Sequence, residues 1–225
     1  MFIKILLFFC LSISLLAQDT FSSIAYDKNG KIIYKEKHSV EKENGFIKKV
    51  TTDYFNSEDK KIAQLTSSFN GNLFLPDSYF KDLRSNYTEE TKLEGEQYIV
   101  KTRVEGSKVK TTKIKIKSNM VSGQGFHNFV LKNYELLGSG KKVEINFIIP
   151  SMRDYFGFEI SSMPNEKPGQ SIFRLEISNW LLSLIASEIK VTYEDTTKNL
   201  IIFNGLSNVK DDKGDQYNAN IIYQY

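Results

Sequence analysis

Acid–base or metal chemistry in this chain would have to begin with its two histidines, His38 and His127, since the one cysteine, Cys10, lies inside an apolar N-terminal run. A closed zinc site needs four ligands, and a catalytic one needs three with a position left open. Neither histidine has a partner at ligand spacing. His38 falls mid-strand on the side of Tyr34 and Val40, and His127 follows Phe126 near the start of a helix, so both are read as structural. No metal and no cofactor is expected.

The carboxylates lead to the same reading. Paired-acid catalysis needs two carboxyl groups facing one cleft. Here Asp53, Glu58 and Asp59 border one hairpin and Asp211, Asp212 and Asp215 line another. Turns select aspartate because its side chain accepts from nearby backbone amides. The Asp211–Asp215 run lacks the closing acidic ligand of a helical calcium loop. Gly123-Gln124-Gly125 has the composition of a phosphate cradle, but no lysine stands in the required place and no strand-turn-helix unit of parallel type is expected around it. It is read as a helix-entry loop. No Gly-x-Ser-x-Gly elbow occurs. With no catalytic residue to assign, a non-enzymatic protein is expected.

The elements that would position any site are mostly strands. Ile32, Tyr34 and Val40 alternate with Lys35, Lys37 and Ser39 after the Asp27-Lys28-Asn29-Gly30 turn. Runs at 46–55, 62–69, 98–104, 108–117, 143–149, 155–160, 171–178, 189–194, 200–203 and 217–225 continue the pattern, separated by polar turns. A period of two with one wet face indicates a meander of antiparallel hairpins. Phe126, Phe129, Val130, Tyr134 and Leu137 recur at helical spacing and predict an amphipathic helix of about three turns. A second segment, 179–186, is apolar nearly all round, which suits a short buried helix or a lid over an apolar hollow. Trp180, Leu181, Leu184 and Ile185 from that segment, with Phe126 and Phe129, are the candidate contacts for an apolar ligand.

Composition bounds the remainder. The chain has 225 residues, 40% hydrophobic and 25% charged, with 16 Phe and 12 Tyr, which fits one strand-rich globular domain. The formal net charge is +3, and its basic residues are scattered rather than gathered in a stripe, which argues against nucleic acid as a partner. Lys4, the apolar run Ile5–Leu16 and Ala17 read as a signal peptide over residues 1–18, cleaved near Ala17. Cys10 lies mid-run, so lipidation is not expected. The protein is expected to be periplasmic, and its mature part, residues 19–225, then contains no cysteine and no disulfide.

The segments Gly125-Phe126-His127-Asn128-Phe129-Val130 and Ile148-Ile149-Pro150-Ser151, with Val191-Thr192-Tyr193 and Gly205-Leu206-Ser207-Asn208, resemble a family of uncharacterised exported bacterial proteins. The order of elements is also similar to half-barrel envelope carriers of the LolA type. That resemblance implies a curved antiparallel sheet closed by helices over an apolar hollow. The expected fold is therefore mainly β (α+β): a curved antiparallel sheet, half-barrel or open barrel, with two short helices. The expected function is binding of a lipid or other apolar ligand in the concave face. The alternative is an assembly protein that binds an envelope protein partner.

Overall fold

The computed structural model describes residues 18–165, 167–178, 188–211 and 213–225. Residues 1–17 of the expected signal segment, and with them the cleavage site near Ala17, lie outside the described residues, while Gln18, placed in that segment, opens the first strand. So do Trp180, Leu181, Leu184 and Ile185.

The strands are β1 (Gln18–Tyr26), β2 (Ile32–Glu43), β3 (Phe46–Phe55), β4 (Lys61–Ser68), β5 (Asp77–Asp82), β6 (Thr88–Glu94), β7 (Gln97–Arg103) and β8 (Lys110–Lys115) in the first half. There follow β9 (Met120–Ser122), two helices α1 (Gly125–Lys132) and α2 (Tyr134–Gly138), and β10 (Val143–Ile149). A single 3-10 turn (Pro150–Met152) leads to β11 (Asp154–Met163), β12 (Gln170–Ile177), β13 (Ile189–Glu194), β14 (Leu200–Lys210) and β15 (Gln216–Gln224). All the strands among the described residues form one sheet in the order β8-β7-β6-β5-β4-β3-β2-β1-β15-β14-β13-β12-β11-β10-β9, with β1 and β15 paired at its middle. Every neighbouring pair is antiparallel except β9 with β10. The expected curved, open, mainly antiparallel sheet is the observed one.

Alternation decides which face is dry. In β2, Tyr34, Glu36, His38 and Val40 are buried while Lys37 is exposed. Following cross-strand partners outward, the same inner face carries Thr52, Leu65, Phe80, Glu89 and Thr102 on one side. On the other it carries Ile221, Phe203, Val191, Phe173 and, further along, Ile160, Phe147 and Val121. The ends of the sheet then overlap. Met120 and Ile148 lie on the outer face of β9 and β10, yet they pack with Tyr98, Val100 and Ile114 from the inner face of β7 and β8. The sheet is rolled past closure, and its seam is held by side chains rather than by a hydrogen-bonded ladder.

The two helices plug one end of the roll. Phe126, Phe129, Val130, Tyr134 and Leu137 pack on Ile145, Ile160, Phe173, Val191 and Tyr193. Covering each such large side chain contributes about 1.5–3 kcal/mol. Asn128, fully buried, pins α1 by donating to the Ile47 and Leu73 carbonyls and accepting from the Ile47 amide. The single three-turn helix expected here is broken at Asn133, whose amide Nδ2 donates to the Phe129 carbonyl at 2.9 Å and so competes with continuation of the helix.

The other end is filled by β14. Its register slips between Leu206 and Lys210, and the bulge carries Ser207, Asn208 and Val209 into the roll. There Val209 packs with Tyr34, Tyr54 and Phe80. Tyr34 Oη and Ser207 Oγ are 2.8 Å apart, and Asn208 Nδ2 donates to Tyr54 Oη at 3.1 Å. Asp211, like Asp27, accepts two backbone amides of its own turn, as expected. Asp53 and Asp59 instead pair with Lys61 and Lys35, and Asn56 accepts the amides of their turn.

Candidate functional site

Between these two plugs the inner face turns polar. The β1–β2 register sets Ser23 opposite Glu36 and Phe21 opposite His38, and β3 adds Thr52 opposite His38. All four polar side chains are buried. Ser23 Oγ donates to Glu36 Oε2 at 2.5 Å, and His38 Nε2 stands 3.0 Å from the same oxygen. An ionised carboxylate only accepts, so Nε2 must carry its proton. On the far side of the ring, Nδ1 is 3.0 Å from Thr52 Oγ1, which also accepts from Gln124 Nε2 at 3.1 Å. The Thr52 proton is thus free to point at Nδ1. Gln124 Oε1 is buried without a hydrogen-bond partner among the described residues.

Aromatic rings line the adjoining wall. Phe21 stacks on His38 with centroids 4.5 Å apart, and Tyr223 lies 5.7 Å from the same imidazole. Tyr225 continues the row, 4.5 Å from Phe21, and is exposed. The wall therefore runs from solvent, through half-buried Phe21 and Tyr223, to the buried Glu36–His38 pair. Burial, reinforced by the nearby Glu36 charge, pushes the Tyr223 and Tyr34 hydroxyls well above the usual phenol range, so both remain neutral donors.

Serine, histidine and glutamate stand together here, but not in the order that activates a nucleophile. That order has the hydroxyl facing the lone pair of a histidine, which the acid holds from behind. Here Glu36 is the hub: the Ser23 hydroxyl and Nε2 both engage it, and Ser23 Oγ is 3.4 Å from Nε2. The arrangement suits fixing a polar group by hydrogen bonds. No group of three metal-ligating side chains exists among the described residues.

His127 lies apart from this network. Its ring stacks on Tyr193 with centroids 5.6 Å apart, and Nδ1 is 3.2 Å from Tyr193 Oη. Burial depresses its pKa to about 4. Phe126 and Phe129, the candidate apolar contacts, are packed into the helix-end core against Phe147 and Phe74. They join the polar network only through the neighbouring Gln124.

The Gly123-Gln124-Gly125 loop needs a correction. It does stand between a strand and a helix of a parallel unit, because β9 and β10 pair in parallel; at three residues, β9 is too short to show a period. Yet the cradle is closed. A Cβ on Gly125 would lie 2.1 Å from the Phe74 carbonyl oxygen, which also accepts from the Ser122 amide. An acceptor occupies the place where a phosphate would have to sit.

The sequence reading kept His38 as structural and passed over Ser23, Glu36 and Thr52. Parity held the signal: Glu36 sits midway between Tyr34 and His38, on a face otherwise read as dry.

No family model matches this chain, and no curated protein does. Among solved structures it is similar to a beta-barrel-like protein of a domain of unknown function, DUF1849, from Brucella abortus. That likeness has a TM-score of 0.51 at 10% identity, over 92% of this chain and 94% of the other. It supports a barrel-like rolled sheet as the class of fold.

Proposed function

We propose that the protein is an exported, non-catalytic binding protein of a bacterial envelope, which holds an amphiphile against the inner face of its rolled sheet. The observation that carries this is the aromatic row Phe21–Tyr223–Tyr225 leading inward to the buried Ser23–Glu36–His38–Thr52 network. Ligand sites are concave and mostly apolar, with a few polar groups that fix orientation. The aromatic row supplies the apolar wall, and the network supplies groups able to exchange one hydrogen bond for another. The assembly reading has less behind it: the free edge strand β8 carries Lys110, Lys113 and Lys115, and edge lysines oppose pairing with a further strand.

The test is binding of two fluorescent probes, uncharged N-phenylnaphthylamine and a labelled fatty acid. Native mass spectrometry of protein taken from its own envelope goes alongside. Binding of both probes is expected, and Tyr223→Ala should weaken it by about tenfold, the loss of roughly 1.4 kcal/mol of wall contact. An apo mass together with no probe binding by the wild type would refute the reading. N-terminal sequencing checks the address, which requires a chain beginning close after Ala17.

A further inference from the structure

The overlap of the sheet ends creates a second concavity, of about 370 Å³, at the end of the roll opposite the helices. Its walls are Tyr87 just before β6, the ends of β7 and β8 with the turn that joins them, and the 3-10 turn after β10, with the end of β14 between them. Four cationic side chains line it: Lys108, Lys110, Arg153 and Lys210. We propose that this cavity binds the phosphate of a phosphomonoester.

Three observations carry the proposal. First, none of the four cations has an ion-pair partner among the described residues, so the cavity holds four uncompensated charges; Lys35, Lys61 and Lys142, by contrast, meet Asp59, Asp53 and Glu159. Four like charges around one space repel one another, and a bound dianion removes that cost. Secondly, two of the cations are held in place. Arg153 Nη1 donates to Thr102 Oγ1 at 2.8 Å, and Lys210 Nζ sits 4.7 Å over the Tyr87 ring. Arg153 also adopts a left-handed backbone, φ 55°, with its amide bonded to the Pro150 carbonyl. Such a conformation costs a non-glycine residue about 1 kcal/mol or more and tends to mark sites where a side chain must be aimed. Thirdly, the carboxylate whose charge Lys210 does feel is Glu89, which lies behind Tyr87 and accepts its hydroxyl at 2.8 Å. Burial raises the Glu89 pKa, and the Lys210 charge offsets part of that rise, so this single carboxyl group does not balance four cations.

The chemistry selects phosphate. A guanidinium fork with flanking ammonium groups matches tetrahedral oxygens carrying two charges better than a lone carboxylate. The volume, near the lower end of the roughly 300–1,000 Å³ of small-ligand sites, accommodates a phosphate with a small polar body. A soluble phosphate ester and the headgroup of a phospholipid share that chemistry. The inference stands apart from the interior aromatic wall, since it needs neither Phe21 nor the Glu36–His38 pair.

The experiment uses the mature chain at about 0.15 M salt, where charges beyond about 8 Å are screened. Calorimetry with glycerol 3-phosphate tests the soluble source. Co-sedimentation with phosphatidylcholine vesicles, with and without phosphatidic acid, tests the lipid source. The variants are Arg153→Gln and Lys110→Gln, with Lys132→Gln on α1, at the other end of the roll, as the control. At least one phosphate probe should bind the wild type, and each cavity variant should weaken it about tenfold while the control leaves it unchanged. Should Arg153→Gln melt early, Lys110→Gln on the exposed edge strand decides alone. Binding of glycerol 3-phosphate assigns a soluble ligand, and binding of the acidic vesicles alone assigns a headgroup. No binding of either probe, or equal weakening by Lys132→Gln and Lys110→Gln, overturns the proposal. N-phenylnaphthylamine carries no charge and reports the interior separately, so the two readings fail independently.

Discussion

His38 Nε2 stands 3.0 Å from Glu36 Oε2, two residues along one strand and on its buried face. Taking both groups out of water is costly, and their attraction repays it only with further hydrogen bonds, which Ser23 and Thr52 provide. Removing one partner strands the other. Glu36→Leu should therefore lose about 3–5 kcal/mol. Glu36→Leu with His38→Leu, which replaces the pair by apolar groups, should recover most of that loss. Urea denaturation midpoints decide it. If the double variant regains stability but no longer binds the amphiphile probes, the pair is kept for binding. Equal losses in single and double variants would count against a strained pair.

The β14 bulge crosses the roll through Tyr34 and Ser207, which are 173 positions apart in the chain. Tyr34→Phe leaves Ser207 Oγ with the Val209 amide as its donor but without its partner across the roll. A cost of about 1–2 kcal/mol is expected, within the range for an unsatisfied buried group. Ser207→Ala should cost a similar amount, and the double variant little more than either, because both remove the same bond. Additive losses in the cycle would show that the two residues act separately.

Much of the strand pattern was legible because one face is wet. The bounds of β3, β10 and β13 follow directly from alternation and turn residues. Alternation failed where both faces are polar: β6, Thr-Glu-Glu-Thr-Lys-Leu-Glu, has no apolar stripe, since its inner face carries Glu89 and Thr91. It failed again in β14, where the bulge changes which face Ser207 and Val209 present. The Glu36–His38 pair was legible in parity alone, but its partners Ser23 and Thr52 depend on strand register, which no single strand specifies. The cationic cavity had no local signature at all. It exists because the overlap of the sheet ends brings Arg153 onto β7, a contact 51 residues long in sequence.

Gly125 opens α1 against the Phe74 carbonyl, and a Cβ there would lie 2.1 Å from that oxygen. Backbone cannot yield as a flexible side chain can, so Gly125→Ala must separate α1 from the 70–76 loop. The contact also carries the Ser122 amide bond to Phe74 O, and Asn128 ties the same helix to Leu73. A loss of about 3 kcal/mol is expected, the upper end for overpacking. Gly138→Ala, where a Cβ meets nothing within 4 Å, should be close to neutral. Thermal melts of the two variants provide the comparison, and similar shifts in both would show that the contact relaxes freely.

His127 should make stability depend on pH. In the fold its pKa falls from 6.5 to about 4, first because burial disfavours the imidazolium and then because Lys42 repels it. Between those values the unfolded chain binds a proton that the folded chain refuses. Stability therefore rises with pH through this window and levels off above the unfolded value. At about 1.4 kcal/mol per unit, the whole window is worth up to about 3 kcal/mol. Glu89 acts in the opposite sense, because burial raises its pKa and the folded chain then holds a proton the unfolded chain gives up. The total curve mixes the two, so the measurement is a difference. His127→Gln removes only the histidine titration, and any lost contact with Tyr193 shifts its stability equally at every pH. Denaturation free energies of wild type and His127→Gln, taken from pH 7 down to pH 4, should converge or cross as the wild type alone pays the imidazolium penalty. Parallel curves across that range would mean that His127 is solvated enough to titrate normally, and that the Tyr193 stack does not seal it.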